Sequence, residues 1–175
     1  TVLRFGTLEL VRGDWRTYTQ DLSNPLIPPK SDGQIVVSSV NIEENGQRQP
    51  VNYVLPPGIS RMFDSSQPQL LQQNEQALSM KITDLSPADA RAVYKSTAYD
   101  LRRYKRLQMF AHAEAPIDES KTLSNGDFSV FIRLGSDYKN NYYEYEVPLD
   151  LTPHSTILYN TNNSADQEKV WPLNN

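Results

Sequence analysis

The sequence predicts an all-β chain: an antiparallel β-sandwich of jelly-roll, galactose-binding-like type, with one short helix. Strand-like segments recur along the 175 residues, about seven of them, with no strand–helix–strand rhythm. Pro (12) outnumbers Gly (7), and amide and hydroxyl residues are plentiful, a balance that favours strands with long polar connections over helix packing. No segment repeats at the period of a solenoid or propeller. One domain over residues 1–175 is expected. Because the chain opens on Thr1 without Met or a signal peptide, it is expected to be a piece of a longer protein.

Each element has a local reason. Val2 to Val11 alternates in places, with Leu3, Phe5, Leu8 and Leu10 as core candidates and Gly6 as a bulge; Trp15 and Tyr18 would close one edge. Asp21 to Gly33 holds three prolines and reads as a loop. Gln34 to Glu43 is β-branched, Asn45-Gly46 signals a turn, and Val51 to Leu55 would return as the partner strand until Pro56-Pro57-Gly58 stops it. Ile59 to Gln76 is polar, an ordered loop anchored by Met62, Phe63, Leu70 and Leu71. From Ala77 to Leu85, Leu78, Met80 and Ile82 face one way and Ser79, Lys81 and Thr83 the other. Ser86, Pro87 and Asp89 have the spacing of an N-cap, a first helical position and a first-turn acid, so the one helix is expected to run to about Ser96. Leu107 to Ala113 and Phe128 to Leu134 read as strands, the second after an Asn125-Gly126 turn. Tyr142 to Leu151 alternates tyrosines and aliphatics against Glu144, Glu146 and Asp150. The polar tail from Thr152 offers Ile157, Leu158, Tyr159 and Trp171 as docking points.

Composition removes several function classes. With no cysteine there is no disulfide, zinc ribbon, iron–sulfur cluster or thiol catalysis. No apolar run reaches the length of a membrane-spanning helix. A formal charge of −4 argues against nucleic acid as a partner. No G-x-S-x-G, Walker or G-x-G-x-x-G loop occurs. His112 and Glu114 share one face of an expected strand, the spacing of a ligand or acid–base pair, but no other His is near in sequence. Acid pairs at Glu43-Glu44, Asp118-Glu119 and Glu144/Glu146 read as solvated faces, and His154 as a surface residue. Gly135-Ser136-Asp137 could offer oxygens to calcium. No catalytic residue, cofactor or metal site is assigned, and no enzyme is expected.

Two surfaces remain. The basic run Arg102, Arg103, Lys105 and Arg106, with Leu101, Tyr104 and Leu107 expected to tuck inward, is the candidate partner surface. Trp15, Tyr142 and Trp171 are the candidate aromatic platform if the chain is instead a carbohydrate-binding module.

Two long stretches carry a resemblance. One runs from Asn74-Glu75-Gln76-Ala77-Leu78-Ser79 through Asp84-Leu85, Asp89 to Lys95 and Asp100 to Tyr104, and ends in Leu107 to Glu114. The other is Arg133-Leu134-Gly135-Ser136-Asp137-Tyr138 followed by Asn140 to Leu149; the ending Val170-Trp171-Pro172-Leu173-Asn174-Asn175 joins them. Both resemble the SprA/Sov family of gliding and secreting Bacteroidota, closely over the last hundred or so residues and loosely over the first sixty or so. The resemblance implies a role in type IX protein secretion, in which that family forms an outer-membrane β-barrel translocon. This piece lacks the rhythm of barrel strands of about ten residues with aromatic girdles. It would be an internal soluble domain inserted between barrel strands at the cell envelope, structural or partner-contacting, that meets other secretion components or the rest of its own chain. It would touch a membrane only through the barrel. No catalytic or gate residues carry over.

Overall fold

The computed structural model describes residues 15–22, 32–63, 72–117 and 123–172. The expected strand Val2 to Val11, most of the loop between Asp21 and Gly33, Leu70, Leu71 and the pair Asp118-Glu119 lie outside the described residues. Strands dominate: β1 (Arg16–Tyr18), β2 (Gln34–Asn41), β3 (Gln76–Thr83), β4 (Ala92–Tyr94), β5 (Ser129–Gly135) and β6 (Tyr142–Pro148). Two short helices, α1 (Ile42–Asn45) and α2 (Ser164–Val170), and one 3₁₀ turn at Leu101–Arg103 complete the described elements. The strands pair two by two, β1 with β4, β2 with β3 and β5 with β6. The β1–β4 and β5–β6 pairs are antiparallel.

The chain forms two compact units, residues 1–38 with 79–105, and residues 39–78 with 106–175. In the first, β1 and β4 pair with Thr17 opposite Val93, and the Tyr18 and Tyr94 rings meet edge to face at 6.3 Å. Strand β4 stands where the helix was expected. Asp89 N–H closes a tight turn onto the Ser86 carbonyl, and Ala88 takes φ 60°, a left-handed conformation that ends any right-handed helix there. The Asp89 carboxylate accepts from the Ala90 N–H and binds the Arg91 guanidinium at 2.9 Å. Arg91 also donates to the Gly33 and Ala90 carbonyls, and both side chains of the ion pair are buried.

The core of the second unit is Val51, Tyr53, Val54, Tyr159, Val170 and Trp171, with Val40, Ile42, Leu55, Ala77 and Phe110 packed against it. Val51 to Leu55 is therefore central, but it is not a strand paired with β2. Asn41 ends β2 by capping α1, its side chain accepting from the Glu44 N–H, and the Asn45 carbonyl accepts from Tyr53 N–H. Arg48 donates to the Val51 carbonyl, and the segment's other ties reach far along the chain. Asn52 accepts from Tyr159 N–H at 2.8 Å and donates back to the Tyr159 carbonyl at 2.9 Å. Leu55 N–H donates to Thr161 Oγ1, and Gln167 donates to the Leu55 carbonyl. Helix α2, capped by Asn163, brings Val170 and Trp171 into this core; it was not expected from the sequence. Trp171 donates Nε1–H to the Val54 carbonyl at 2.8 Å and meets the Tyr53 and Phe110 rings edge on. Burial, and then a hydrogen bond to Glu75, pushes the Tyr53 phenol far above its ordinary range, so it stays a donor.

Leu107 to Ala113 is not a strand either; its one bridge joins Ala113 to Leu151. Strands β3 and β6 lie close to where alternation put them, and β5 close to where an apolar run did. None of the residues in the β5–β6 hairpin belongs to the core cluster.

Candidate functional site

The basic run is solvent-facing along its length, from Leu101 to Met109. Asp100 caps the 3₁₀ turn through the Arg102 N–H and pairs with the Arg102 guanidinium at 2.8 Å. The hydrogen bond from Arg102 holds the Asp100 carboxyl below its usual range. Arg103, Lys105 and Arg106 project into solvent. One expectation is corrected here: Leu101, Tyr104 and Leu107 do not tuck inward, and Tyr104 is 69% exposed. A single 3₁₀ turn followed by extended backbone has no period that could sort charged from apolar side chains onto opposite faces. The result is an exposed segment that mixes cations with apolar side chains.

The aromatic platform does not assemble. Trp171 is 7% exposed, enclosed by Tyr53, Phe110 and His112, and offers no free face. The Arg133 guanidinium lies 4.4 Å from the Tyr142 ring centre and covers it. Of the three residues only Trp15 is exposed.

His112 and Glu114 do come together, inside a polar network. His112 Nδ1 lies 3.0 Å from both the Val170 carbonyl and Thr152 Oγ1, and Nε2 faces Glu114 at 3.4 Å. Arg48 Nη2 lies 2.6 Å from both carboxylate oxygens of Glu114. Burial alone would raise the Glu114 carboxyl, but the hydrogen bond from His112 and the charge of Arg48 outweigh it and hold it below its usual range. Hydroxyl, imidazole and carboxylate are thus in line, as in a nucleophile–base pair. Thr152 is buried, however, and donates its hydroxyl to the Lys169 carbonyl. The network holds the end of α2 against residues 112–114.

The one acidic loop considered for calcium is closed on itself. Asp137 accepts from the backbone N–H groups of Lys139, Asn140 and Asn141 and from the Asn141 side chain, bonds that hold its carboxyl well below the usual range. Among the described residues no group of three His, Cys, Asp or Glu is placed to hold a metal.

A shallow cleft of about 750 Å³ lies in the second unit between Ile42, Leu55, Ile59, Met62 and Phe63. Arg61 on its wall is fully engaged, by Glu43 and by the Gln72 and Gln73 carbonyls, so the cleft holds no unpaired guanidinium. Sequence reasoning missed it, since Met62 and Phe63 read as loop anchors.

A family model described as motility related/secretion protein matches residues 1–175. The chain belongs to the SprA_N family. The match covers the loosely resembling first sixty or so residues as well as the tyrosine-rich hairpin. SprA_N is a motility and secretion family, not a known enzyme family. No curated protein matches the chain. Among the described residues no helix is long and apolar enough to cross a membrane.

Proposed function

We propose that this chain is a non-catalytic domain of a type IX secretion translocon of the outer membrane, a fragment of a longer chain. Its part there is structural and partner-contacting. The observation that carries the reading is the family match over the whole chain. The solvent-facing run of Arg102, Arg103, Lys105 and Arg106, with Tyr104 and Leu107 unburied beside it, supports a contact surface for another secretion component or for the rest of the same protein. Cations interleaved with apolar side chains suit an acidic protein surface with hydrophobic contacts between its charges. Membrane contact would come through a barrel elsewhere in the protein.

The finer architecture belongs to the same proposal: the two-stranded pairs are the pieces from which a single-domain sandwich of jelly-roll winding would be assembled. An experimental structure of the full-length protein that leaves the pairs separate would remove it.

The functional test is charge reversal of Arg102, Arg103, Lys105 and Arg106 to Glu in the full-length protein in its own cell. The expected result is reduced secretion and surface motility at unchanged protein level. Unchanged secretion would overturn the contact role.

A further inference from the structure

The β5–β6 hairpin has two unlike faces. Register puts Phe131, Arg133, Tyr142, Glu144 and Glu146 on one. There Arg133 pairs with Glu144 and lies over the Phe131 and Tyr142 rings, and Ser129 donates to Glu146. This face is internally satisfied and, with two carboxylates against one guanidinium, net negative. The other face is Val130, Ile132, Leu134, Tyr143, Tyr145 and Val147. Tyr143 is 87% and Tyr145 70% exposed, and no hairpin residue joins the buried core. Val130, Ile132, Leu134 and Val147 are half-buried, so the water-facing part of this side is the tyrosine pair, and a two-stranded ribbon with so little cover is marginal alone.

The outer edge of β6 also lacks a partner strand among the described residues. Leu149 N–H donates to the Phe128 carbonyl and Ser136 N–H to the Asn141 carbonyl. Antiparallel pairing alternates with period two, so Val130–Val147, Ile132–Tyr145 and Leu134–Tyr143 exchange the ladder bonds. The backbone N–H and C=O groups of Tyr142, Glu144 and Glu146 then point away from β5. Among the described residues no strand pairs with that side of β6. Pro148, with no N–H to offer, stands at the far end of the same edge.

We propose that the outer edge of β6 is a strand-addition site for an extended peptide segment of alternating aliphatic and basic residues. Ladder bonds to Tyr142, Glu144 and Glu146 would supply affinity. The aliphatic positions would cover Tyr143, Tyr145 and Val147, and the basic positions would meet Glu144 and Glu146. A second copy of the chain fits badly: in the antiparallel register that uses all three outward positions, Glu144 stands opposite its own copy. The inference is independent of the secretion reading and of the basic run.

The test uses the 175-residue chain and two synthetic probes, an acetylated and amidated Lys-Val-Lys-Val-Lys-Val peptide and its Glu-Val counterpart. Amide hydrogen exchange is read residue by residue. The Lys-Val peptide should slow Tyr142, Glu144 and Glu146 by at least about fivefold, which corresponds to a free peptide concentration of about four times Kd. The Glu-Val peptide should not. Glu146→Pro removes an outward N–H and no ladder bond, so Tyr145 and Val147 amides should stay as protected as in the wild type while the peptide effect at Tyr142 and Glu144 is lost. No slowing by either peptide, equal slowing by both, or persistence in Glu146→Pro overturns the proposal. So does protection without peptide that rises with protein concentration, which would assign the edge to a second copy.

Discussion

In the first unit the buried contact that ties loop to strand is an ion pair, Asp89 with Arg91, fastened to the Gly33 and Ala90 carbonyls. In the second it is an apolar cluster in which Val51 and Val54 are wholly enclosed and Trp171 lies across them. The two differ in what they contribute. Burying charges has a desolvation cost that a good ion pair roughly offsets, so the pair fixes geometry more than it adds stability. Burying valines and a tryptophan adds stability directly. The difference teaches that the second unit is stabilised by apolar burial, whereas the first is held in shape by a contact that is costly to break but adds little when intact. The run from Leu101 to Lys105 belongs to that first unit.

Trp171→Ala should have the largest effect, about 3–5 kcal/mol, because it removes the ring and leaves the buried Val54 carbonyl without its donor. Far-UV circular dichroism in urea reads the whole chain, and Trp15, the remaining tryptophan, reads the first unit. The dichroism midpoint should fall well below that of Trp15 emission. Parallel shifts would show one cooperative body and break the comparison.

Next is Asp89→Ala, which takes a buried carboxylate away from the Arg91 guanidinium and should cost about 3 kcal/mol, read by Trp15 emission in urea. Adding Arg91→Met should recover most of the loss, since an apolar pair needs no charge compensation. A double variant as unstable as the single would mean that the pair contributes net stability.

Glu114 gives a smaller, pH-dependent effect. Its carboxyl is held below the usual range when folded, so between the folded and unfolded values the unfolded chain binds more protons. Its contribution is present above the unfolded value, near about 4.3, and is lost as pH falls through the folded value. Glu114→Gln should cost roughly 1.5 kcal/mol at pH 7 and flatten the decline of the urea midpoint between about pH 5 and 3. An unchanged acid slope would separate Glu114 from the stability of the α2 end.

Local pattern was enough for some elements and not for others. Strands β3 and β6 were legible because their alternation lies within each segment, and β5 because its apolar run closely follows the Asn125-Gly126 turn. The role of 51–55 was not, because its partners Tyr159, Thr161 and Gln167 lie more than a hundred residues away. Asn45-Gly46 suggested a hairpin, yet Gly46 has φ −66° and ends α1 rather than a β-turn. Helix α2 showed a signal, Asn163 before Ala165 and Asp166, but with Val170 its only buried residue it had no apolar stripe to reveal it. The candidate surface was located in sequence by its charges. The exposure of Leu101, Tyr104 and Leu107 was not, since apolar residues between cations read equally well as buried anchors.

That exposure makes the smallest prediction the most telling for the first unit. If Tyr104 were a hidden anchor, replacing it would leave a cavity and cost several kcal/mol, roughly 3–5 for a large aromatic side chain. At 69% exposure it has little buried area to lose. Tyr104→Ser should therefore leave the Trp15 urea midpoint unchanged, within about 0.5 kcal/mol. In the full-length protein the same substitution should still weaken secretion, because a side chain that contributes nothing to its own fold is available to a partner. A destabilised but fully functional variant would return Tyr104 to the interior and remove the apolar half of the proposed contact surface.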